Sequence, residues 1–410
     1  MSGYKLSRLG QAVKMSGTLA MDERYLELKR QGKDVISLGA GQPDFGSPPA
    51  AQAAGIEAIE KGHTRYTPVA GTPSLRAVIA RKLKEQNGLA FTPEQVVVCA
   101  GAKQAIYHAL LAFADPGDDI YLPTPAWPSY REMVRLVGGR AVEIPIAAAN
   151  GYKLTAESLM GALRRHPGSP GGLLLFSNPN NPTGAVYTHE ELSRIAEVAR
   201  GEDLSVIVDE IYEKLVFDGP FVSFATLPGM RARTVTVNGV SKVFSMTGWR
   251  IGYAAGPAPV MQVMRSLQSH TSGNPTSISQ YAAEAALAAE LDTPEGKEPV
   301  ERMRYAFKRR RDLVCRLLDD IPGVTYVKPE GAFYFFVNVS SHFGRTLAGR
   351  RISDSMSLAE YLLEEAGVAV VPGSEFGDDR CIRLSIAASA EDLTVALKRI
   401  GKALAGVPSS

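Results

Sequence analysis

The stretch from Val240 to Tyr253 places Lys242 after the apolar run Thr234 to Val237, and Arg250 eight positions further on (250 − 242), ahead of a second short apolar run, Ile251 to Ala255. Apolar runs of this length read as buried strands, so Lys242 falls on a loop at a strand end. A lysine held among apolar neighbours loses its proton near neutral pH, because desolvation disfavours the ammonium. The neutral amine can then attack a carbonyl to form a Schiff base. Ser241 and Arg250 would serve a phosphate. A lone Ser-Lys pair reads as well as one solvated lysine among many, so the reading depends on what accompanies it.

Two further polar clusters do. Ser177 to Gly184 follows the apolar run Leu173 to Phe176, and Asp209 to Glu213 follows Leu204 to Val208. Three clusters thus sit at the carboxyl ends of three successive strands, the edge of an open α/β sheet where ligands bind. The succession of Asn181-Pro182-Thr183-Gly184, Asp209 with Tyr212, Ser241-Lys242 and Met246-Thr247-Gly248-Trp249-Arg250 resembles the fold-type I pyridoxal-phosphate enzymes, specifically the class I and II aminotransferases. The resemblance runs from about Leu38 to Ser385.

Size and composition are consistent with such an enzyme. At 410 residues the chain exceeds the usual ~100 to 200 residues of one domain. Its 45% hydrophobic, 21% charged and 8% aromatic content is globular and argues against disorder or a coiled coil. With 45 basic and 43 acidic residues the net charge is +2, which gives no reason to expect nucleic acid or an anionic membrane as partner. Cys99, Cys315 and Cys381 are odd in number and scattered, and the six histidines show no ligand spacing. Neither a disulfide framework nor a metal site is expected. No signal-like segment and no run near the ~18 apolar residues of a membrane span appears, so a cytoplasmic protein is expected.

Strands are expected at Val96 to Ala100, Asp119 to Leu122, Gly139 to Ile146, and in the runs ending at Phe176, Val208, Val237 and Ala255, with helices between most of them. That alternation predicts an α/β fold with a seven-stranded, mainly parallel sheet in a large domain. Residues 147–170 read as connecting loop with one helix. The breaker-rich Pro294 to Pro299 is the natural boundary, ahead of a charged helix from Val300 to Leu318. Beyond it, Gly331 to Val337, Val368 to Val371 and Cys381 to Ile386 read as strands of a smaller α+β domain. The expected division is an N-terminal segment (1–47) joining the small domain, a large cofactor-binding domain (48–295) and a small C-terminal domain (296–410).

Residue by residue, the strand–Gly101–helix junction offers free N–H groups and a favourable dipole to a phosphate. Gly101, Ala102 and Lys103 are assigned there with Ser241 and Arg250. Trp127 reads either as a core residue or as a flat face for an aromatic ring; the resemblance places it against the pyridine ring. Gly39, Ala40 and Gly41 read as a loop of close backbone approach, and the resemblance matches Gly41 to the glycine whose N–H meets the substrate carboxylate. It matches Tyr66 to a tyrosine that reaches the cofactor phosphate of a neighbouring subunit, which implies a homodimer.

Transamination needs an electron sink that no side chain supplies, hence pyridoxal 5′-phosphate. The resemblance then implies Asp209 at the ring nitrogen, Tyr212 and Asn181 donating to the phenolic oxygen, and Lys242 as Schiff-base lysine and proton carrier. Arg383, inside an apolar strand, needs a carboxylate partner: an internal Asp or Glu, or the substrate, which the resemblance favours. Lys103 either helps hold the phosphate or meets a substrate side-chain carboxylate, as the aspartate and prephenate aminotransferases imply. The expected activity is amino transfer between an amino acid, aspartate or glutamate first, and a 2-oxo acid. A C–S β-lyase or cyclase could use the same residues, and a cofactor-binding regulatory module would need a DNA-binding head for which some forty residues leave little room.

Overall fold

The computed structural model describes residues 5–13, 17–166 and 172–406. A short β1 (Ile36–Ser37) precedes the strands of the main sheet: β2 (Val96–Cys99), β3 (Asp119–Thr124), β4 (Arg140–Pro145), β5 (Leu173–Ser177), β6 (Ser205–Asp209), β7 (Thr234–Gly239) and β8 (Gly252–Ala255). Their order across the sheet is β2-β8-β7-β6-β5-β3-β4. Every neighbouring pair is parallel except those of β8, which runs against both β2 and β7. The sheet is thus seven-stranded and mainly parallel, as the alternating pattern predicts.

These segments are strands because both faces are covered. Leu173, Leu175, Ile207, Val235 and Val237 pack under the helices Ala102–Phe113 and Ala258–Thr271. Leu174, Phe176, Val206 and Val208 turn to the other face, against Leu192, Ile195 and Ala196 of the helix His189–Gly201. Doubly covered strands need near-continuous β-branched and aliphatic runs rather than alternation, which is the pattern seen.

The smaller unit holds β9 (Thr325–Tyr326), β10 (Tyr334–Asn338), the hairpin β11 (Thr346–Leu347) and β12 (Arg350–Arg351), β13 (Val368–Ala369), β14 (Val371–Pro372) and β15 (Cys381–Ser385). An antiparallel sheet runs β14-β15-β10-β9, and β1 pairs in parallel with β13, Ile36 opposite Val368 and Ser37 opposite Ala369.

The charged helix expected from Val300 begins earlier: Pro294 to Pro299 form the first turns of a continuous helix, Pro294–Asp319. Pro294 sits in the first turn, where its missing N–H costs nothing, and Thr293 caps the end by accepting from the Gly296 N–H at 3.0 Å. Pro299 forfeits one backbone bond. The helix persists because Val300, Met303, Phe307, Arg311, Val314 and Leu318 bury one continuous stripe. We propose that the large domain ends with the helix Ser277–Asp292. In the connecting stretch 147–170 the expected helix is Ala156–Arg165, and residues 167–170 lie outside the described residues.

Candidate active site

Because β2, β3, β5, β6 and β7 point the same way, their carboxyl ends share one edge, and the reversed β8 brings its beginning to that edge. Gly252 opens β8 so close to the helix start that a Cβ there would stand 2.2 Å from the Ala102 nitrogen. A cavity of about 340 Å³ lies along this edge. Of the residues singled out above, Gly41, Ala102, Lys103, Trp127, Asn181, Asp209, Tyr212, Ser241, Lys242, Arg250 and Arg383 line it. Gly101 stands directly behind: its φ is +86°, and a Cβ on it would fall 2.3 Å from Arg250 Nη2. Only glycine accommodates both the backbone and the guanidinium. Tyr66 is the exception. It is 98% exposed and does not line the cavity.

The Lys242 amine donates to the Gly41 carbonyl and faces the Phe333 ring at 6.0 Å. Burial, reinforced by the charges of Arg383 and Arg250 against the opposing pull of Asp209, brings its pKa down to about 8. Asp209, at the end of β6, is buried and its pKa is pushed up to about 6 by desolvation. Its oxygens accept from the Tyr130 hydroxyl at 2.7 Å and the Ile211 N–H at 3.1 Å.

Two cations, Arg250 and Lys103, flank the start of the helix Ala102–Phe113. Arg250 adopts a left-handed backbone (φ 54°) and donates to the carbonyls of Thr247 (3.0 Å) and Ala100 (3.4 Å). Lys103 stands over the Trp127 ring at 4.9 Å, its pKa lowered by burial and by the charge of Arg250. Among the described residues neither has an acidic partner. Arg250, the free N–H groups of the helix start and the Ser241 hydroxyl fit a phosphate dianion, and Lys103 stands beside them as a second cation, open to the phosphate or to a substrate carboxylate.

Arg383 is 3% exposed and likewise lacks an acidic partner among the described residues. Its Nη1 donates to Asn181 Oδ1 (3.1 Å), its Nη2 to the Gly39 carbonyl (2.7 Å), and its Nε is unpartnered. The internal ion pair left open by the sequence is therefore absent there, and a buried guanidinium of this kind fits an incoming carboxylate. Asn181 uses its oxygen on Arg383, so its NH₂ is the group left to donate.

Sequence reasoning missed Tyr130 and Tyr334, both cavity-lining. Tyr130 lies three residues beyond Trp127, on the helix Pro128–Leu136, whose N1 position Pro128 occupies. That i, i+3 spacing on a helix presenting Trp127 was the available signal. Tyr334 hides in the aromatic run Phe333 to Phe336, where alternation alone does not say which face meets the site.

The model of the family "aminotransferase class I and II" matches residues 33–400. The chain is 46% identical over 402 residues to a bifunctional aspartate aminotransferase and glutamate/aspartate-prephenate aminotransferase of Petunia hybrida, covering 97% of this chain and 82% of that protein. It is 44% identical to an aspartate/prephenate aminotransferase of Cereibacter sphaeroides, covering 96% and 97%. The solved aspartate aminotransferase of Thermus thermophilus with maleate superposes with a TM-score of 0.91 at 40% identity, over 98% of this chain and all of that one. The chain belongs to the class I and II aminotransferases. It is a fold-type I, pyridoxal-phosphate-dependent enzyme that passes an amino group between an amino acid and a 2-oxo acid, and nothing among these relatives supports the β-lyase or cyclase alternative.

Proposed function

We propose that the amino donors are the dicarboxylic amino acids aspartate and glutamate. The observation that carries this is Lys103: a cavity-lining ammonium with no acid among the described residues to neutralise it, sharing the cavity with Arg383, which has no acidic partner there either. Two separated cations suit a substrate with two carboxylates. The relatives' names and the maleate, a dicarboxylate, of the Thermus structure support the same choice.

Pyridoxal phosphate, when bound, supplies the electron sink that accepts the electron pair of the Cα–H bond. Arg250, Ser241, Gly101, Ala102 and the helix start would hold its phosphate, and Trp127 would cover one ring face. Asp209 would keep a proton on the ring nitrogen: a buried carboxylate that is costly to ionise alone gains most from a cationic partner. Tyr212 and Asn181 would donate to the phenolic oxygen. Arg383 and the Gly41 N–H would fix the α-carboxylate and so orient the Cα–H bond. Lys242 would take and return the Cα proton, a task for which a pKa of about 8 suits it better than that of an ordinary lysine.

We further propose a homodimer, in which the exposed Tyr66 reaches the phosphate of a neighbouring subunit, and a cytoplasmic setting. The unpaired cysteines support the latter. Among the described residues no helix is long and apolar enough to cross a membrane.

The donor proposal is tested by Lys103→Ala, assayed for glutamate formation from 2-oxoglutarate with L-aspartate and with a neutral donor. A loss of roughly tenfold or more in kcat/KM confined to aspartate is expected. Equal losses with both donors would assign Lys103 to the phosphate instead.

A further inference from the structure

Tyr334 stands at the junction of two tasks that the reading above gives to separate residues. It is the first residue of β10 and is 1% exposed. Its ring lies 4.3 Å from the Arg383 guanidinium carbon, with Phe376 on that guanidinium at 5.0 Å. Pairing of Phe336 with Arg383 and of Tyr334 with Ser385 in the antiparallel β10–β15 ladder makes Tyr334 the diagonal neighbour of Arg383. The Tyr334 hydroxyl meets the Tyr212 hydroxyl at 3.0 Å. It also lies close to the Gly41 loop, since a Cβ on Gly41 would stand 3.7 Å from it.

We propose that Tyr334 is a positioning residue for transamination: its ring holds Arg383 flat for the substrate carboxylate, and its hydroxyl donates to Tyr212 so that Tyr212 donates outward. The inference rests on the roles assigned above to Tyr212 and Arg383. A tyrosine hydroxyl has one proton. If Tyr212 directs its own at the cofactor's phenolic oxygen, the proton in the 3.0 Å contact comes from Tyr334. A phenol that accepts a hydrogen bond becomes the stronger donor, because chained hydrogen bonds polarise one another. The charged groups that bear on this pair are Arg383 from β15 and Asp209 from β6, and Lys242 and Arg250, from the loop between β7 and β8, line the same cavity. Among the described residues none of them hydrogen-bonds to either hydroxyl, so the tyrosine pair is a single relay flanked by charge. The geometry also links the two tasks, because the ring that lies on Arg383 carries the hydroxyl that meets Tyr212.

Tyr334→Phe keeps the ring and removes the hydroxyl, whereas Tyr334→Leu removes both. The readouts, on the cofactor-loaded protein, are the pH midpoint of its visible absorbance change and the affinity for maleate, a non-reacting dicarboxylate. Weaker donation to the phenolic oxygen leaves more negative charge there to hold a neighbouring proton, so the midpoint should rise. Tyr334→Phe should raise it by about half a pH unit, Tyr212→Phe should raise it further, and the double variant should match Tyr212→Phe alone. Maleate affinity should stay within about twofold for Tyr334→Phe and fall roughly tenfold for Tyr334→Leu. An unmoved midpoint in Tyr334→Phe, additive shifts in the double variant, or unchanged maleate binding in Tyr334→Leu each overturns the inference while leaving Tyr212's role intact. An unmoved midpoint in Tyr212→Phe overturns both.

Discussion

Replacing Arg383 by lysine keeps the positive charge and removes the planar fork. In the wild-type protein that fork bonds Asn181 and Gly39 at 3.1 and 2.7 Å and is held between the Tyr334 and Phe376 rings at 4.3 and 5.0 Å, with Nε unpartnered. A lysine ammonium reaches only one of these places at a time and does not stack as a plane. The lost contact to a substrate carboxylate is charge-assisted, which sets the cost at about 2 to 3 kcal/mol, or roughly 30- to 150-fold in kcat/KM. Every α-amino acid carries that carboxylate. Stopped-flow measurement of the first half-reaction, with L-aspartate and with a neutral donor, should therefore give the same factor for both. Unchanged kcat/KM would show Arg383 to be structural, and a loss confined to aspartate would exchange its role with that of Lys103.

Other consequences concern stability and the cofactor. The lowered pKa of Lys242 means that the folded chain binds its proton less tightly than the unfolded chain does; the penalty is full below about pH 8 and fades as pH rises towards 10.5. After discounting for the water that reaches the cavity, Lys242→Met should stabilise the cofactor-free protein by about 1 to 2 kcal/mol at pH 7. Denaturant titrations in which that gain persists undiminished at pH 10.5 would refute this. Gly55 abuts the indole of Trp249, whose Nε1 donates to Ser47 at 3.0 Å, and a Cβ on Gly55 would stand 2.7 Å from the ring. Gly55→Ala should push the indole and loosen the adjoining Arg250, weakening cofactor binding roughly tenfold by an overpacking strain of about 1 to 2 kcal/mol. Fluorescence titration that gives the wild-type affinity would show that the indole yields without moving Arg250. Asp209→Asn should lower both cofactor affinity and kcat by at least about tenfold, because an amide cannot keep the ring nitrogen charged; wild-type kcat at saturating cofactor would contradict the role given to Asp209.

Much of this was legible in the chain because the physics was local. The doubly covered strands are near-continuous apolar runs, and polar clusters at their ends, at Asn181, Asp209 and Lys242, mark the sheet edge where ligands gather. What was not legible depends on partners distant in sequence. Tyr334 is one aromatic residue among four until the register of β10 against β15 sets it beside Arg383. Tyr130 looks like helix packing until its hydroxyl is seen on Asp209, 79 positions away. Pro299 reads as a breaker, yet the buried stripe from Val300 to Leu318 outweighs one lost backbone bond. Arg383 shows the reverse: its oddity within an apolar strand was visible, but whether an internal acid answered it could be settled only by its surroundings.

The assignment of Lys242 underlies the rest of the account, and one measurement addresses it directly. The protein purified with its cofactor is reduced with borohydride, digested, and the modified peptide identified by mass spectrometry. The account predicts a single modified site at Lys242, absent from Lys242→Ala, which should still bind pyridoxal phosphate through Arg250, Ser241 and the helix start. Cofactor fixed to any other lysine, or fixed equally well in Lys242→Ala, would contradict it.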